Sequence, residues 1–588
     1  MNHSIFVLTT LLEQHGVRRA VVCPGSRNAP IVHQLYESKL IKCCPVTDER
    51  SAGFYALGLT LATHKPVVVC VTSGTALLNL APAVAEAFYQ HLPVIVISAD
   101  RPISWIDQLD GQTMPQSDAL GRFVRRAVTL PETGENSSQY SPTEHWYCNR
   151  LINETLLAAV TEGGGPVHIN VPLTPPLYDF QNTIEQTAER TITLLSPFTN
   201  GSETFPPVSV SETEPTKTTS SGNNVANVKA AYWAQPMLNE LAAARRPLIV
   251  IGQTRPNEIS QELISRLDTR HYVVLQEPLS GCWGGHVTDE ILQLINKDND
   301  SNITNEYACQ PDFVLYLGHT LVSNDLKLYI RHATQARCWR VDEEPSLPDT
   351  FQNLCGVVQA RPVDVLANIV SEGPKDWYML WNERKKRALE HRRKFNPPYS
   401  EMLAVKLLEN SLTHKDSTGV IHYANSMAVR FACIYAEKPV YCNRGVNGID
   451  GSLSTAAGFS LGTTENVYCV TGDLSFFYDQ NALWNTSLKG NFRILLLNNG
   501  EGGIFRKFKG LRTCPEIHPY VMGTHRTHAE GICQANNVDY QIAHNNDELK
   551  DGISWLTEKQ AERPRVLEVV TNDVDDWNIY RDYFATLH

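Results

Sequence analysis

The sequence predicts an α/β protein made of three doubly wound parallel-sheet units. Apolar runs without polar alternation, "RAVVCPG", "PVVVCVTSG", "LPVIVISAD" and "GPVHINVP", alternate with helical stretches through residues 1 to about 180, as strands covered on both faces do. The same grammar returns in "RPLIVIGQTRP", "HYVVLQEP" and "DFVLYLGHT", and again in "VIHYANSMAVR", "ENVYCV" and "FRILLLNNGEGG". The first and last of these regions also match in order. "VVCPGSRNAP" parallels "VIHYANSMAVR", "VTDERSAGFYALGLTLAT" parallels "CNRGVNGIDGSLSTAAGFSLGT", and the strand–helix–strand run ending in "VISAD" parallels the one ending in "LLLNN". In each pair a strand ends in polar residues and a helix of small residues begins. A shared general preference of parallel α/β sheets is the simpler account of this match; a duplicated unit flanking a different middle one explains its order and spacing.

Taken in order, "SIFVLTTLL" has no basic segment before it and is followed by "EQHG", so it reads as the apolar face of a first helix and not as a signal peptide. The first unit spans residues 1–185. Residues 186–228 include "PFTNGSETFPPVSVSETEPTKTTSSGNN", which is rich in Pro, Ser and Thr and poor in large apolar residues, and they read as a linker. A central α/β unit covers 229–375. The charged stretch "WNERKKRALEHRRKF" then leads into a third unit, 376–588.

Composition bounds the function. The 588 residues are 42% hydrophobic and 19% charged, enough for a large core. A net charge of −12 argues against nucleic-acid or membrane-surface binding, and no apolar run is long enough to span a bilayer. The 14 cysteines form no CxxC, and several lie in apolar strands (Cys23, Cys70, Cys442, Cys469), as reduced core residues of a cytoplasmic protein would.

Candidate chemistry lies at strand ends. Ligands of open α/β sheets bind beyond the carboxyl ends of the strands. Gly472-Asp473-Leu474-Ser475 ends one strand and Asn498-Asn499 ends the next. Gly472 permits close approach, the N–H groups of Leu474 and Ser475 can face a diphosphate, and Asp473 and Asn499 offer the hard oxygens that Mg²⁺ takes. A helix cap at Asp473 and a turn at Asn498-Asn499 would use the same residue types. Asp48-Glu49 likewise fits a pair of charges at a helix N-terminus.

The Gly-Asp followed by Asn-Asn resembles the metal–diphosphate motif of thiamine-diphosphate enzymes. That resemblance implies Asp473, Asn499 and the backbone of Glu501 as ligands of Mg²⁺, for which Mn²⁺ can substitute. It implies Glu49 as the carboxylate on the cofactor's aminopyrimidine ring, and Thr72, Ser73 and Gly74 as the pyrimidine loop. "CPGSRNAP", "DERSAGFYALG", "ISADRP", "NRGVNGIDGSLSTAAG", "GDLSFFYDQNAL" and "NNGEGGIF" together resemble the 2-succinyl-5-enolpyruvyl-6-hydroxy-3-cyclohexene-1-carboxylate synthase family over most of residues 1–180 and 397–510. In that family's architecture the three units are pyrimidine-binding, central and diphosphate-binding domains. The implied reaction is decarboxylation of 2-oxoglutarate and 1,4-addition of the four-carbon carbanion to isochorismate, a step of menaquinone biosynthesis.

Further roles follow from the resemblance. Arg27, Arg101, Arg430 and Arg444 are implied at the substrate carboxylates, for which arginine's fork is suited. Ser26, Gln112 and Ser426 match polar substrate contacts. Gly448, Ile449, Ile504 and Phe505 match the cofactor's walls, with Ile449 as the bulky residue that bends it; plain core packing is compatible with the same apolar residues. The chain departs from the family at Gly111, where Asn is common, and at Asn324, where a lysine is expected; Lys327 lies one turn on. The family implies at least a dimer, with a dimer of dimers expected. A 2-oxo-acid carboligase using pyruvate is the rival enzyme, against which the arginines speak. A non-catalytic nucleotide-binding protein is the rival class, against which Glu49, Asp473 and Asn499 speak together. Cys514, His518, His525, His528 and Cys533 gather as zinc ligands would, but without a CxxC or HxxxH pair.

Overall fold

The apolar runs form three all-parallel sheets in a computed structural model that describes residues 3–132, 141–161, 163–175, 177, 178, 180, 188–194, 234–282, 287–300, 309–415 and 418–588. The first sheet holds β1 (Arg19–Val22), β2 (Lys42–Pro45), β3 (Val67–Val71), β4 (Val94–Asp100), β5 (Ala127–Thr129) and β6 (Val167–Pro172), in the order β2-β1-β3-β4-β6-β5. The middle sheet holds β7 (Pro247–Ile251), β8 (Val273–Gln276), β9 (Phe313–Leu317), β10 (Arg337–Asp342) and β11 (Leu354–Gln359), in the order β11-β10-β9-β7-β8. The third holds β12 (Val420–Tyr423), β13 (Val467–Gly472), β14 (Phe492–Asn498), β15 (Asp539–Ala543) and β16 (Arg565–Val570), in the order β12-β13-β14-β16-β15. Strands such as "VVVCV" of β3 and "FVLYL" of β9 are buried at every position, which is why their sequences carry no alternation.

The repeat read from the sequence is a repeat of topology. Without β2, the first sheet has the strand order of the third. Where β2 pairs with β1, Tyr441 makes a single parallel bridge to His422 of β12. The third sheet is therefore the first with one edge strand reduced to a bridge.

The two units also meet through equivalent helices. Helix Glu49–Thr63 packs on helix Ser452–Ser460 with glycine on both sides of the crossing. A methyl group on Gly58 would overlap the Thr455 carbonyl, and one on Gly458 would overlap that of Tyr55. Tyr55 sends its hydroxyl across to the Ala482 carbonyl at 2.6 Å. Helix Lys375–Lys394 buries Trp377 and Trp381 in an apolar cluster with β7–β10 residues, and Trp377 donates to the Pro247 carbonyl. Arg384 and Arg392 on the same helix are buried and pair with Asp298 and Glu290, while Lys386, Arg393 and Lys394 of the same basic run are exposed. The N-terminal apolar stretch is helix His3–Gln14. Most of the Pro/Ser/Thr-rich stretch lies outside the described residues. Among the described residues, no helix is long and apolar enough to cross a membrane.

Candidate functional site

The duplicated topology brings the singled-out residues to matching strand ends. In the first unit Ser26 and Arg27 follow β1, Asp48 and Glu49 follow β2, Thr72–Gly74 follow β3, and the Arg101–Gln112 loop follows β4. In the third unit Ser426 follows β12, Arg444–Ile449 follow Tyr441, Gly472–Ser475 close β13, and Asn498–Glu501 close β14.

At Asp48-Glu49 the two carboxylates divide their roles. Asp48 is the N-cap, its Oδ1 accepting from the N–H of Arg50 (2.9 Å) and Ser51 (3.3 Å), while its Oδ2 takes the Asn481 amide from the third unit. Glu49 is the first helical residue, and among the described residues no hydrogen bond or ion pair engages its carboxylate. The helix is capped without it, so Glu49 remains available to a ligand. Arg50 reaches across to the Tyr478 carbonyl and lies over the Tyr478 ring.

The pyrimidine-loop candidates Thr72 and Ser73 are buried, and Gly74 adopts φ +83°, a conformation open to glycine. The Gly74 N–H is fixed by Gln116, whose side chain also donates to the Ala99 carbonyl and to Asn170. Asn170 in turn donates to Asp100, and Asp100 accepts the Arg101 N–H. A buried relay thus joins the Gly74 turn to the start of the Arg101 loop. Arg101 bridges to Asp110 and to the Gly111 carbonyl within that loop. Arg27 donates to the Leu173 carbonyl, and burial, then the nearby Arg101, pull its guanidinium below its ordinary value. Ser26 and Gln112 are exposed, and Gln112 takes φ +56°.

In the third unit Asp473 is almost fully buried. Its Oδ1 accepts the Leu474 N–H (2.6 Å), its Oδ2 the Gly500 N–H (2.8 Å), and His525 Nε2 lies 3.3 Å from Oδ2. The neighbouring Asp473 carboxylate raises the His525 pKa. Asn499 Oδ1 accepts from Glu501 N, and the Glu501 carbonyl accepts from Gly503 N. The Asp473 carboxylate, tied to the Gly500 N–H, and the Asn499 amide and Glu501 carbonyl thus follow the neighbouring strands β13 and β14, and a Cβ on Gly472 would meet nothing within 4 Å. This donor set and open space fit a hard divalent cation beside a diphosphate. Asn498 faces the interior, donating to Glu568 (2.6 Å) and to the Thr527 carbonyl. Ser475 Oγ donates to the Ile449 carbonyl at 2.6 Å, tying the two loops together. Ile449 is partly exposed, and Ile504 and Phe505 are half-buried on a short 3₁₀ turn.

Arg444 is buried. It donates to Asn425 Oδ1 (3.0 Å) and to the Leu321 carbonyl of the middle unit (3.1 Å). Lys327 donates to the same carbonyl at 3.0 Å, and burial, then Arg444, lower its pKa. The family departure at Asn324 is therefore accompanied by a lysine beside Arg444. Arg430 donates to the Ser426 carbonyl and lines a small cavity with Glu277, Asp289 and Glu290, so part of its side chain faces an acidic interior. Ser426 is a non-glycine residue at φ +75°, strain of the kind concentrated at functional sites. Asn425 escaped the sequence reading, although "YANSMAVR" contains it. Its amide donates to the Asn443 and Gly448 carbonyls and so shapes the Arg444 loop.

The Cys/His gathering disperses. Cys533 is buried, His528 pairs with Glu568, His525 with Asp473, His518 bonds the Leu511 carbonyl, and Cys514 is exposed.

Comparison with known proteins agrees with this geometry. Residues 5–120 match the family model described as thiamine pyrophosphate enzyme, N-terminal TPP binding domain. The chain is 36% identical to the 2-succinyl-5-enolpyruvyl-6-hydroxy-3-cyclohexene-1-carboxylate synthase of Bacteroides thetaiotaomicron, over 99% of this chain and 98% of that one. It is 36% identical to the enzyme of the same name from Bacteroides fragilis, over 99% of both chains. The like-named enzyme of Cytophaga hutchinsonii is 31% identical, again over 99% of both.

Proposed function

Since the chain belongs to the 2-succinyl-5-enolpyruvyl-6-hydroxy-3-cyclohexene-1-carboxylate synthase family of thiamine-diphosphate-dependent enzymes, we propose that Glu49, Asp473 and Asn499 are the residues through which it uses its cofactor. The protein is a thiamine-diphosphate-dependent transferase of menaquinone biosynthesis. It decarboxylates 2-oxoglutarate and adds the remaining four-carbon unit to isochorismate, releasing CO₂. The observation that carries the assignment of residues is Glu49's unengaged carboxylate after β2, with the Asp473, Asn499 and Glu501 oxygens after β13 and β14 of the duplicate unit.

Thiamine diphosphate, when bound, supplies the carbon centre that accepts the electrons of the broken C–C bond. Glu49 holds a proton at the cofactor's ring nitrogen. Asp473, Asn499 and the Glu501 carbonyl would hold Mg²⁺, or Mn²⁺ in its place, whose charge would offset that of the diphosphate. Thr72, Ser73 and Gly74 line the pyrimidine; Gly448, Ile449, Ile504 and Phe505 wall the ring and exclude water, which favours a charge-dispersing cleavage. Gly472, Leu474 and Ser475 border the diphosphate. Ser26, Arg27, Arg101 and Gln112 face isochorismate, and Ser426, Arg430 and Arg444, with Lys327 beside them, face 2-oxoglutarate. The 14 cysteines form no disulfide, which fits a cytoplasmic enzyme.

Arginine should decide the donor. Pyruvate lacks the distal carboxylate and would leave a desolvated guanidinium unpaired, at about 1.5–3 kcal/mol, or roughly ten- to hundredfold in selectivity. Arg444→Ala and Arg430→Ala are expected to lower kcat/KM for 2-oxoglutarate far more than any residual pyruvate use. Equal factors for both donors in both variants would show that neither arginine selects.

We propose a site shared between two chains, within at least a dimer and preferably a dimer of dimers. Among the described residues of one chain, the Glu49 turn bonds the third unit at Tyr478 and Asn481, and no hydrogen bond or ion pair joins the Ser26, Glu49, Thr72 and Arg101 loops to Ser426, Asp473 or Asn499 themselves. The Arg101 loop holds Ile103, Trp105 and Leu109 exposed, an apolar surface suited to a partner. Mixing inactive Glu49→Gln and Asp473→Ala chains under subunit exchange should restore activity, since one of the two sites in a mixed dimer is then intact. Failure in proven heterodimers would mean that each site is built within one chain.

A further inference from the structure

Glu86 sits on helix Ala81–Tyr89 of the first unit, twelve residues past Gly74, and has no role assigned above. It is a buried carboxylate with 3% exposure. Its Oε1 accepts the Gly445 N–H and its Oε2 the Val446 N–H, both at 2.7 Å, and Gln90 donates to Oε1 at 2.5 Å. Gly445 and Val446 belong to the third unit and lie between Arg444 and Ile449. The approach is close enough to require glycine, since a Cβ on Gly445 would stand 2.7 Å from the Glu86 carbonyl and 3.0 Å from Tyr89 Cβ.

The middle unit grips the same segment. Gln253, at the end of β7, donates to the Cys442 carbonyl at 3.1 Å, and the Leu321 carbonyl takes Arg444. Glu277, at the end of β8, fixes that turn by accepting the Val322 and Ser323 N–H groups at 2.7 Å. The order β10-β9-β7-β8 makes the β7/β9 boundary the switch point of the middle sheet, where such folds bind ligands. Here its loops close on each other, as a side chain on Gly252 would overlap the His319 carbonyl, and they serve the joint instead. Within that joint Glu86 is the anionic member from the first unit, and it holds two consecutive peptide groups in the geometry of a fork.

We propose that Glu86 is a positioning residue for the donor substrate: by binding the Gly445 and Val446 N–H groups across the domain boundary, it sets the Arg444 guanidinium against the distal carboxylate of 2-oxoglutarate. This rests on the reading of Arg444 as a donor-binding residue. A carboxylate is required because both its oxygens accept. A glutamine of the same size accepts one N–H and turns its own NH₂ on the other. Burial raises the Glu86 pKa and the two N–H groups counter that, so the pair of backbone bonds also holds the group in its accepting form.

The test is a double-mutant cycle on the cofactor-loaded enzyme, using Glu86→Gln, Arg444→Ala and the double variant. Glu86→Gln is expected to lose about ten- to hundredfold in kcat/KM for 2-oxoglutarate, chiefly through KM, with thiamine-diphosphate affinity by calorimetry within about threefold of the parent. The double variant is expected to match Arg444→Ala, since Glu86 acts through the arginine. Glu86→Asp keeps the charge on a shorter arm and should fall between parent and Glu86→Gln; it enters the same cycle if Glu86→Gln does not fold. Arg444→Ala with parental kinetics would remove the reading of Arg444. Arg444→Ala impaired while Glu86→Gln is parental, or independent multiplication of the two losses, would overturn the role of Glu86. A fall in kcat alone, with unchanged KM, would mark Glu86 as structural only and overturn it as well.

Discussion

Glu49→Gln protein is expected to bind thiamine diphosphate and Mg²⁺ nearly as well as the parent and to turn over at least a hundredfold more slowly. General acid–base groups contribute about 10²–10⁴ in rate, and the amide cannot share a proton's charge with the ring nitrogen. The fold should survive, because the helix at 49–63 is capped by Asp48 and no described residue depends on the Glu49 carboxylate. Losing a negative charge at the first helical position costs about 0.3–1 kcal/mol, a small shift in melting temperature. Steady-state rates at saturating cofactor, with calorimetry alongside, read both parts. Near-parental turnover would remove Glu49 from the chemistry. Lost binding with lost turnover would make it a binding residue only.

Asp473→Ala is expected to weaken thiamine diphosphate binding by more than about a hundredfold at fixed Mg²⁺, beyond the 10–100-fold usual for residues that only support metal ligands. Two effects add. The carboxylate is the one charged donor of the proposed set, so the cation loses its strongest protein contact. The side chain also ties the Leu474 and Gly500 N–H groups together, so its removal frees the Asn499 turn from the start of helix Asp473–Tyr478. Asp473→Asn separates the effects, since the amide oxygen still accepts one of those N–H groups while the charge is gone. Both variants should lose the cofactor, Ala more severely. Unchanged cofactor affinity in Asp473→Ala would place the metal elsewhere in the protein.

Several features could be read without a structure because they are local. Buried parallel strands need continuous apolar residues, and β3, β9 and β14 show them. Ligand loops at strand ends need small and polar residues in short motifs, hence Gly472-Asp473 and Thr72-Ser73-Gly74. A duplicated unit repeats both signals in the same order. Other features were ambiguous locally. Asp48-Glu49 is compatible with a cap or a catalytic carboxylate, and only the geometry assigns the cap to Asp48. The cysteines and histidines from 514 to 533 are close in sequence, yet each turns to a different partner.

By itself the sequence determined the fold class, the duplication and the family, along with the strand ends at which the proposed site residues lie. These follow from periodicity and short-range steric needs, which a few neighbouring residues encode. Tertiary structure alone decided that Lys327 shares the Leu321 carbonyl with Arg444, and that Gly58 and Gly458 let two helices touch backbones. It also decided that Glu86 grips a loop some 360 positions away. No periodicity marks such residues, because their partners arrive only when separate units dock. A buried carboxylate or ammonium is tolerable only where that docking supplies its hydrogen bonds, so the residue types are explained by the joint and not by their neighbours in the chain.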